Sequence, residues 1–233
     1  MNILKINGTA LAGIYVDASE SFNKPERSAE VFSIPGRSGD LIIDNGTFGN
    51  VLINFPAYIH DNFQTTWDAL INTLGALAGY QRIECSNDTT HFRQGRVIIP
   101  QTPNVSRVNK DAHFDLAFDC KPQRYLTSGE TTTTLTASGT ISNPTAFASR
   151  PLLRITGNGT ITVNGTEITL TSNSGNYTDV DCEMMDCYRG SASRNQYVTF
   201  STNDFPTLKP GSNTITFGSG ITQLIITPRW WEI

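Results

Sequence analysis

The stretch from about Asn62 to Ala78 is the one convincing helix in a chain otherwise patterned as strand, and it limits how the first half can fold. Phe63, Trp67, Leu70, Ile71, Leu74, Leu77 and Ala78 recur at spacings of three and four, which puts them on one helical face. Asp61 is a candidate N-cap, with Gln64 three residues later to complete a capping box. Gly79 supplies a left-handed stop with Tyr80 folding back, while Gly75 weakens the last turn. An apolar face this wide, carrying Trp67, needs a sheet to cover it.

The sheet is legible on both sides of the helix. Short apolar runs fall at Ile3–Ile6, Gly13–Ala18, Ala29–Ile34, Asp40–Ile43 and Val51–Ile59, with turn residues between them. After the helix come Gln81–Cys85 and Phe92–Ile99, turned by Ser86-Asn87-Asp88. In His113–Cys120 the residues Phe114, Leu116, Phe118 and Cys120 point one way, and His113, Asp115, Ala117 and Asp119 the other. That is a half-exposed antiparallel strand. From Lys121 the composition shifts to a Thr/Ser/Gly-rich stretch, so a domain boundary is expected near Tyr125.

Beyond it no helical period recurs. Asn164-Gly165 joins Ile161 and Val163 to Ile168 and Leu170, a two-residue hairpin signal that pairs Val163 with Thr166 and Ile161 with Ile168. Further strands fit Tyr177–Glu183, Gln196–Ser201, Asn213–Phe217 and Gln223–Thr227, with Leu208–Asn213 turning between two of them. The expectation is a mainly β protein of two domains. Residues 1–125 form an α+β unit with one helix, and residues 126–233 form a β-sandwich.

Composition excludes several function classes. The 233 residues carry a formal net charge of -4 with no basic block, so stable nucleic-acid binding is not expected. No apolar run approaches the ~18–20 residues that span a bilayer, and the N-terminus lacks a signal-peptide core; membrane insertion and secretion are not expected. Cys85, Cys120, Cys182 and Cys187 lack paired zinc spacing and read as buried free thiols. The four Asn-Gly-Thr sequences read as tight turns and not as glycosylation sites.

No hydrolase, phosphate-loop or dinucleotide signature is present, so neither an enzyme nor a cofactor is expected. Ser38 lies between glycines but lacks the strand-to-helix setting of a nucleophile elbow. Asp179, Asp181, Glu183 and Asp186 could bind calcium, yet the first three alternate along a strand and read as a solvated outer face. Trp230 and Trp231 are adjacent and point oppositely, so one is expected in the core and the other on the surface.

Val31-Phe32-Ser33-Ile34-Pro35-Gly36-Arg37-Ser38-Gly39-Asp40-Leu41 resembles the N-terminal signature of distal tail proteins of bacteriophages with long, non-contractile tails. Three further features follow in the order of that family: the Leu74–Gly79 helix end leading to Ile83-Glu84-Cys85, the strand end Asp119-Cys120-Lys121-Pro122, and the turn Pro206–Asn213. The resemblance spans essentially the whole chain. It implies a ring-forming N-terminal domain, a C-terminal sandwich of galectin or carbohydrate-binding-module type, and a hexameric hub joining tail tube to tail tip. The implied partners are further copies of the chain, the tube protein, and tail-tip or receptor-binding proteins. The implied location is the virion tail tip, assembled in the host cytoplasm.

Within that reading Ile34, Pro35, Gly36, Arg37, Ser38, Gly39 and Asp40 are the candidate ring or partner interface. Pro35 and Gly36 set a rigid turn that presents Arg37, either as a contact or as a solvated loop charge. Tyr188, Tyr197, Trp230 and Trp231 are the candidate docking or glycan surface. The competing function, a sugar-binding adhesin, acts through that surface.

Overall fold

Alternating apolar residues build most of this molecule. The computed structural model describes residues 2–16, 23–100, 103–105, 111–173 and 175–233. Among them the chain is mainly β with one α-helix. It divides into two compact units, Met1–Arg124 with Ile233, and Tyr125–Glu232.

Unit 1 contains β1 (Leu4–Ile6), β2 (Thr9–Ala10), β3 (Ile14–Val16), β4 (Arg27–Phe32), β5 (Leu41–Phe48) and β6 (Val51–His60). Helix α1 (Phe63–Gly75) follows, then β7 (Gln81–Cys85), β8 (Asp88–Ile98), β9 (Asn104–Val105) and β10, which starts at Asp111 and runs to Leu126. Asp17 and Ala18, the end of the expected strand after Gly13, lie outside the described residues. The main sheet runs β2-β1-β7-β8-β10-β6-β3. Its spine is the antiparallel pair β6/β10, in unbroken register from His60↔Asp111 to Val51↔Cys120.

The expected alternation holds along this spine. Val51, Ile53, Phe55, Ala57 and Ile59 are buried with Phe114, Leu116, Phe118 and Cys120. Helix α1 covers this face, burying Leu70 and Leu74, and sets the Trp67 ring edge-on to Phe114 at 5.1 Å.

The ends of α1 differ from expectation. Asn62, not Asp61, is the N-cap; it has φ 50° and makes no side-chain capping bond. Asp61 and Asn62 both adopt left-handed backbone, not the extended conformation from which a cap side chain reaches the first turn. Gln64 instead donates to Asp68 at 3.1 Å. The helix stops at Gly75, before Ala78, where a residue without a side chain leaves the last turn weak.

Unit 2 is a sandwich of two antiparallel sheets. Its strands are β11 (Thr133–Leu135), β12 (Gly139–Asn143), β13 (Leu152–Gly157), β14 (Gly159–Val163), β15 (Thr166–Leu170) and β16 (Tyr177–Asp181). They continue with β17 (Asp186–Arg189), β18 (Ala192–Ser193), β19 (Val198–Phe200), β20 (Gly211–Phe217) and β21 (Ile221–Thr227). One sheet runs β11-β21-β13-β16-β17-β18, the other β12-β20-β14-β15-β19. Leu153, Ile155, Val180, Leu224 and Ile226 from the first meet Ile161, Val163, Ile168, Leu170 and Ile215 from the second in one core. The β14/β15 hairpin has the expected register, Val163↔Thr166 and Ile161↔Ile168, across Asn164 and Gly165, both at positive φ.

Candidate assembly surfaces

Among the described residues, strands β4 and β5 pair with each other and with no other strand, forming a two-stranded ribbon apart from the main sheet. Its register, Glu30↔Ile43, Val31↔Ile42 and Phe32↔Leu41, sorts the side chains onto two faces. One face carries Ala29, Val31, Ile42 and Asp44; the other carries Glu30, Phe32, Leu41 and Ile43. Both faces are exposed, with Val31 at 60% and Ile42 at 66%.

The base of the ribbon is held locally. Arg27 donates to Asp44 at 2.5 Å and its guanidinium lies over the Phe48 ring, while the Gly49 N–H donates to the Glu26 carbonyl at 3.0 Å. Toward the tip Val31, Phe32, Leu41, Ile42 and Ile43 are exposed, and no other described residue covers them. A ribbon of two strands is marginal by itself, and exposed apolar surface of this kind marks a contact site.

The seven residues of the candidate interface form the ribbon tip. The Arg37 N–H donates to the Ile34 carbonyl at 3.1 Å, and Gly36 and Gly39 take φ 83° and 86°, which only glycine adopts without strain. Ile34, Pro35, Gly36, Arg37, Ser38, Gly39 and Asp40 are all exposed. Sequence reasoning located the tip and the apolar strand runs on either side of it, but not that they stand apart from the main sheet with both faces exposed. The available signal was Val31-Phe32 opposite Leu41-Ile42-Ile43: apolar neighbours on both faces, which a strand with one buried face does not need.

A second feature of unit 1 gave no sequence signal. Beside α1, the turn from β1 through β2 leaves a groove of about 390 Å³, lined by Ile6, Ala10, Leu11, Ala69, Leu70 and Leu77 among others. Its lining brings together small residues, Ala10 and Ala69, that are far apart in sequence.

The four aromatic residues proposed on unit 2 separate in the structure. Trp230 is 5% exposed and belongs to the sandwich core, so it is corrected from surface to core residue. Trp231 is half-buried; its ring stacks on Phe147 at 4.5 Å and its indole N–H donates to the Ala148 carbonyl at 3.0 Å. Tyr197 is half-buried under the Arg194 guanidinium, 4.1 Å from its ring centroid, and Tyr188 is half-buried opposite Asp179 in the β16/β17 pair. With Trp230 in the core, the four do not form one exposed patch.

The acidic run is also corrected. Asp179 and Asp181 are 3% and 1% exposed, not a solvated outer face. Arg154 grips Asp179 through two nitrogens at 2.7 and 2.9 Å, and Arg229 grips Asp181 at 2.7 and 2.8 Å. Burial pushes the Asp181 carboxyl up, but the Arg229 hydrogen bonds and charge, with the N–H groups of Met184 and Glu183, hold it below its ordinary value. These are structural ion pairs. Among the described residues no group of three or more His, Cys, Asp or Glu side chains is placed to hold a metal. The four cysteines form no disulfide; Cys120, Cys182 and Cys187 are buried, and burial pushes the Cys187 thiol up to about 12.

No protein-family model matches the chain, and no curated protein does. Among solved structures, the Dit protein (gp 19.1) of phage SPP1 superposes with a TM-score of 0.71 at 16% identity, over 97% of this chain and 98% of that one. The fold is that of a phage distal tail protein. The SPP1 protein is described as a paradigm of the hub adsorption apparatus in phages infecting Gram-positive hosts. Two structures of the phage P2 baseplate in its activated conformation, with calcium and with strontium, match with TM-scores of 0.53 at 11% identity. Each alignment covers 97% of both chains. The distal tail protein fold therefore accounts for the whole chain, both units included. No helix among the described residues is long and apolar enough to cross a membrane.

Proposed function

We propose that this chain is a structural hub of a phage tail tip. Copies associate through unit 1 into a closed ring, six being the number the family resemblance implies, and the ring joins the tail tube to the adsorption apparatus. The observation that carries this reading is the correspondence of both units, in order, to a hub protein and to baseplate chains.

The uncovered ribbon supports it independently. A ring of identical subunits needs an element that leaves its own subunit and is completed by the next, and β4/β5 has that character. At its tip Arg37 is exposed and able to grip a carboxylate of a neighbouring chain with two nitrogens.

Unit 2 is the docking platform for other tip proteins in this reading. The sugar-binding alternative has less support: the donor and one ring face of Trp231 are already used within the unit, and Trp230 is in the core. The function is tested by tagging the chain in assembled virions and locating it with gold-labelled antibody. Label at the distal end of the tail is expected. Label along the shaft or on the capsid, or its absence from virions, contradicts the proposal.

A further inference from the structure

The ribbon presents two apolar faces, and the structure distinguishes which can be buried. On the Val31/Ile42 side the carboxylate of Asp44 is already paired with Arg27, at the base of the ribbon, at 2.5 Å. On the opposite face Glu30 lies beside Phe32 and Ile43, and burying that face takes a carboxylate out of water. The Val31/Ile42 face is also the more exposed of the two.

The groove beside α1 has the matching chemistry. It is lined only by aliphatic side chains, threonine and asparagine, with no ionisable residue. Its alanines leave room for branched side chains to enter. The sheet order ends at β2, so among the described residues the strand at the groove's edge has no neighbour on its outer side. A strand ribbon entering there meets both apolar side chains and an open strand edge. The ribbon does not fill the groove of its own copy, because Val31 and Ile42 are exposed and the groove is open.

We infer that the Val31/Ile42 face of one copy seats in the groove lined by Ala10, Leu11, Ala69 and Leu77 of the next. The inference rests on the ring reading and specifies its contact. Knob and groove are different patches, so the contact is head-to-tail and an open row of copies keeps one free knob at one end and one free groove at the other until the ring closes.

This geometry allows a complementation test with full-length chains. Ile42→Asp puts a charge on the knob and leaves the groove intact. Ala69→Trp fills the groove from an exposed helix position and leaves the knob intact. Neither variant alone is expected to form rings, and each is expected to be monomeric by light scattering with the wild-type circular dichroism spectrum. Mixed in equal amounts, they retain one good knob and one good groove and are expected to give a one-to-one dimer, twice the monomer mass. Wild-type rings with an Ala69→Trp variant that still assembles would overturn the inference and leave the ring reading standing. So would a mixture that stays monomeric while wild type forms rings. A wild-type chain that never associates overturns both.

Discussion

At the residue scale the informative positions are those where a polar side chain is buried. Asp181 is held by Arg229, 48 positions away in sequence and one-quarter exposed. Removing one partner of a buried pair leaves the other charge uncompensated. Asp181→Ala is therefore expected to cost unit 2 about 2–3 kcal/mol, below the usual range for a fully buried pair because Arg229 keeps some water. Thermal melts followed by tryptophan fluorescence check this. Because the folded carboxyl lies below its ordinary value of 3.8, its stabilising effect is present above that pH and lost as the pH falls beneath it. Asp88 in unit 1 behaves the same way: burial raises it, but Thr90, His91 and Arg124 hold it well below the ordinary range. The melting temperature is thus expected to drop on acidification below about pH 4, and Asp181→Asn to flatten that drop for unit 2. None of this was legible in the sequence. Alternation correctly placed Asp179 and Asp181 on one face of a strand, but the arginines that let that face be buried, Arg154 and Arg229, lie 25 and 48 positions away in sequence.

At the scale of elements, legibility followed whether a pattern was complete within one segment. The Asn164-Gly165 hairpin was readable to the register because turn chemistry and alternating isoleucines agree within ten residues. Gly165 sits at φ 89°, so Gly165→Ala is expected to cost roughly 1–2 kcal/mol in unit 2 through backbone strain, measurable by urea denaturation. The strand His113–Cys120 and the apolar face of α1 were readable for the same reason. The α1 N-terminus was not: Asp61 fits a capping signal, but two successive left-handed residues turn the chain from β6 into the helix, and no side-chain cap forms. The ribbon was only half readable, since its strands look ordinary until the fold shows that nothing covers them. Its exposure carries its own prediction. Val31→Thr and Ile42→Thr together are expected to change the stability of the isolated chain by no more than about 0.5 kcal/mol, because the lost methyl groups touch little within one copy. Denaturation at concentrations too low for association checks this.

At the scale of the whole molecule, the proposed hub completes itself only with its neighbours. Each copy carries a net charge of -4, and a ring assembled as proposed would enclose the path along which a genome leaves. A basic lumen would hold DNA, which carries one negative charge per ~1.7 Å, while an acidic or neutral one lets it slide. The pore-facing residues of the assembled ring are therefore expected to be net acidic or neutral, with Lys and Arg on outer and inter-subunit surfaces. Tight, salt-sensitive binding of the purified protein to duplex DNA would contradict that expectation. The central claim itself is tested most directly by single-particle imaging of the purified full-length chain. The account predicts closed rings with a central opening, six copies around, and the β4/β5 ribbon of each copy lying on its neighbour. Particles that remain single copies at every concentration, or rings in which the ribbon points freely into solvent, would contradict it.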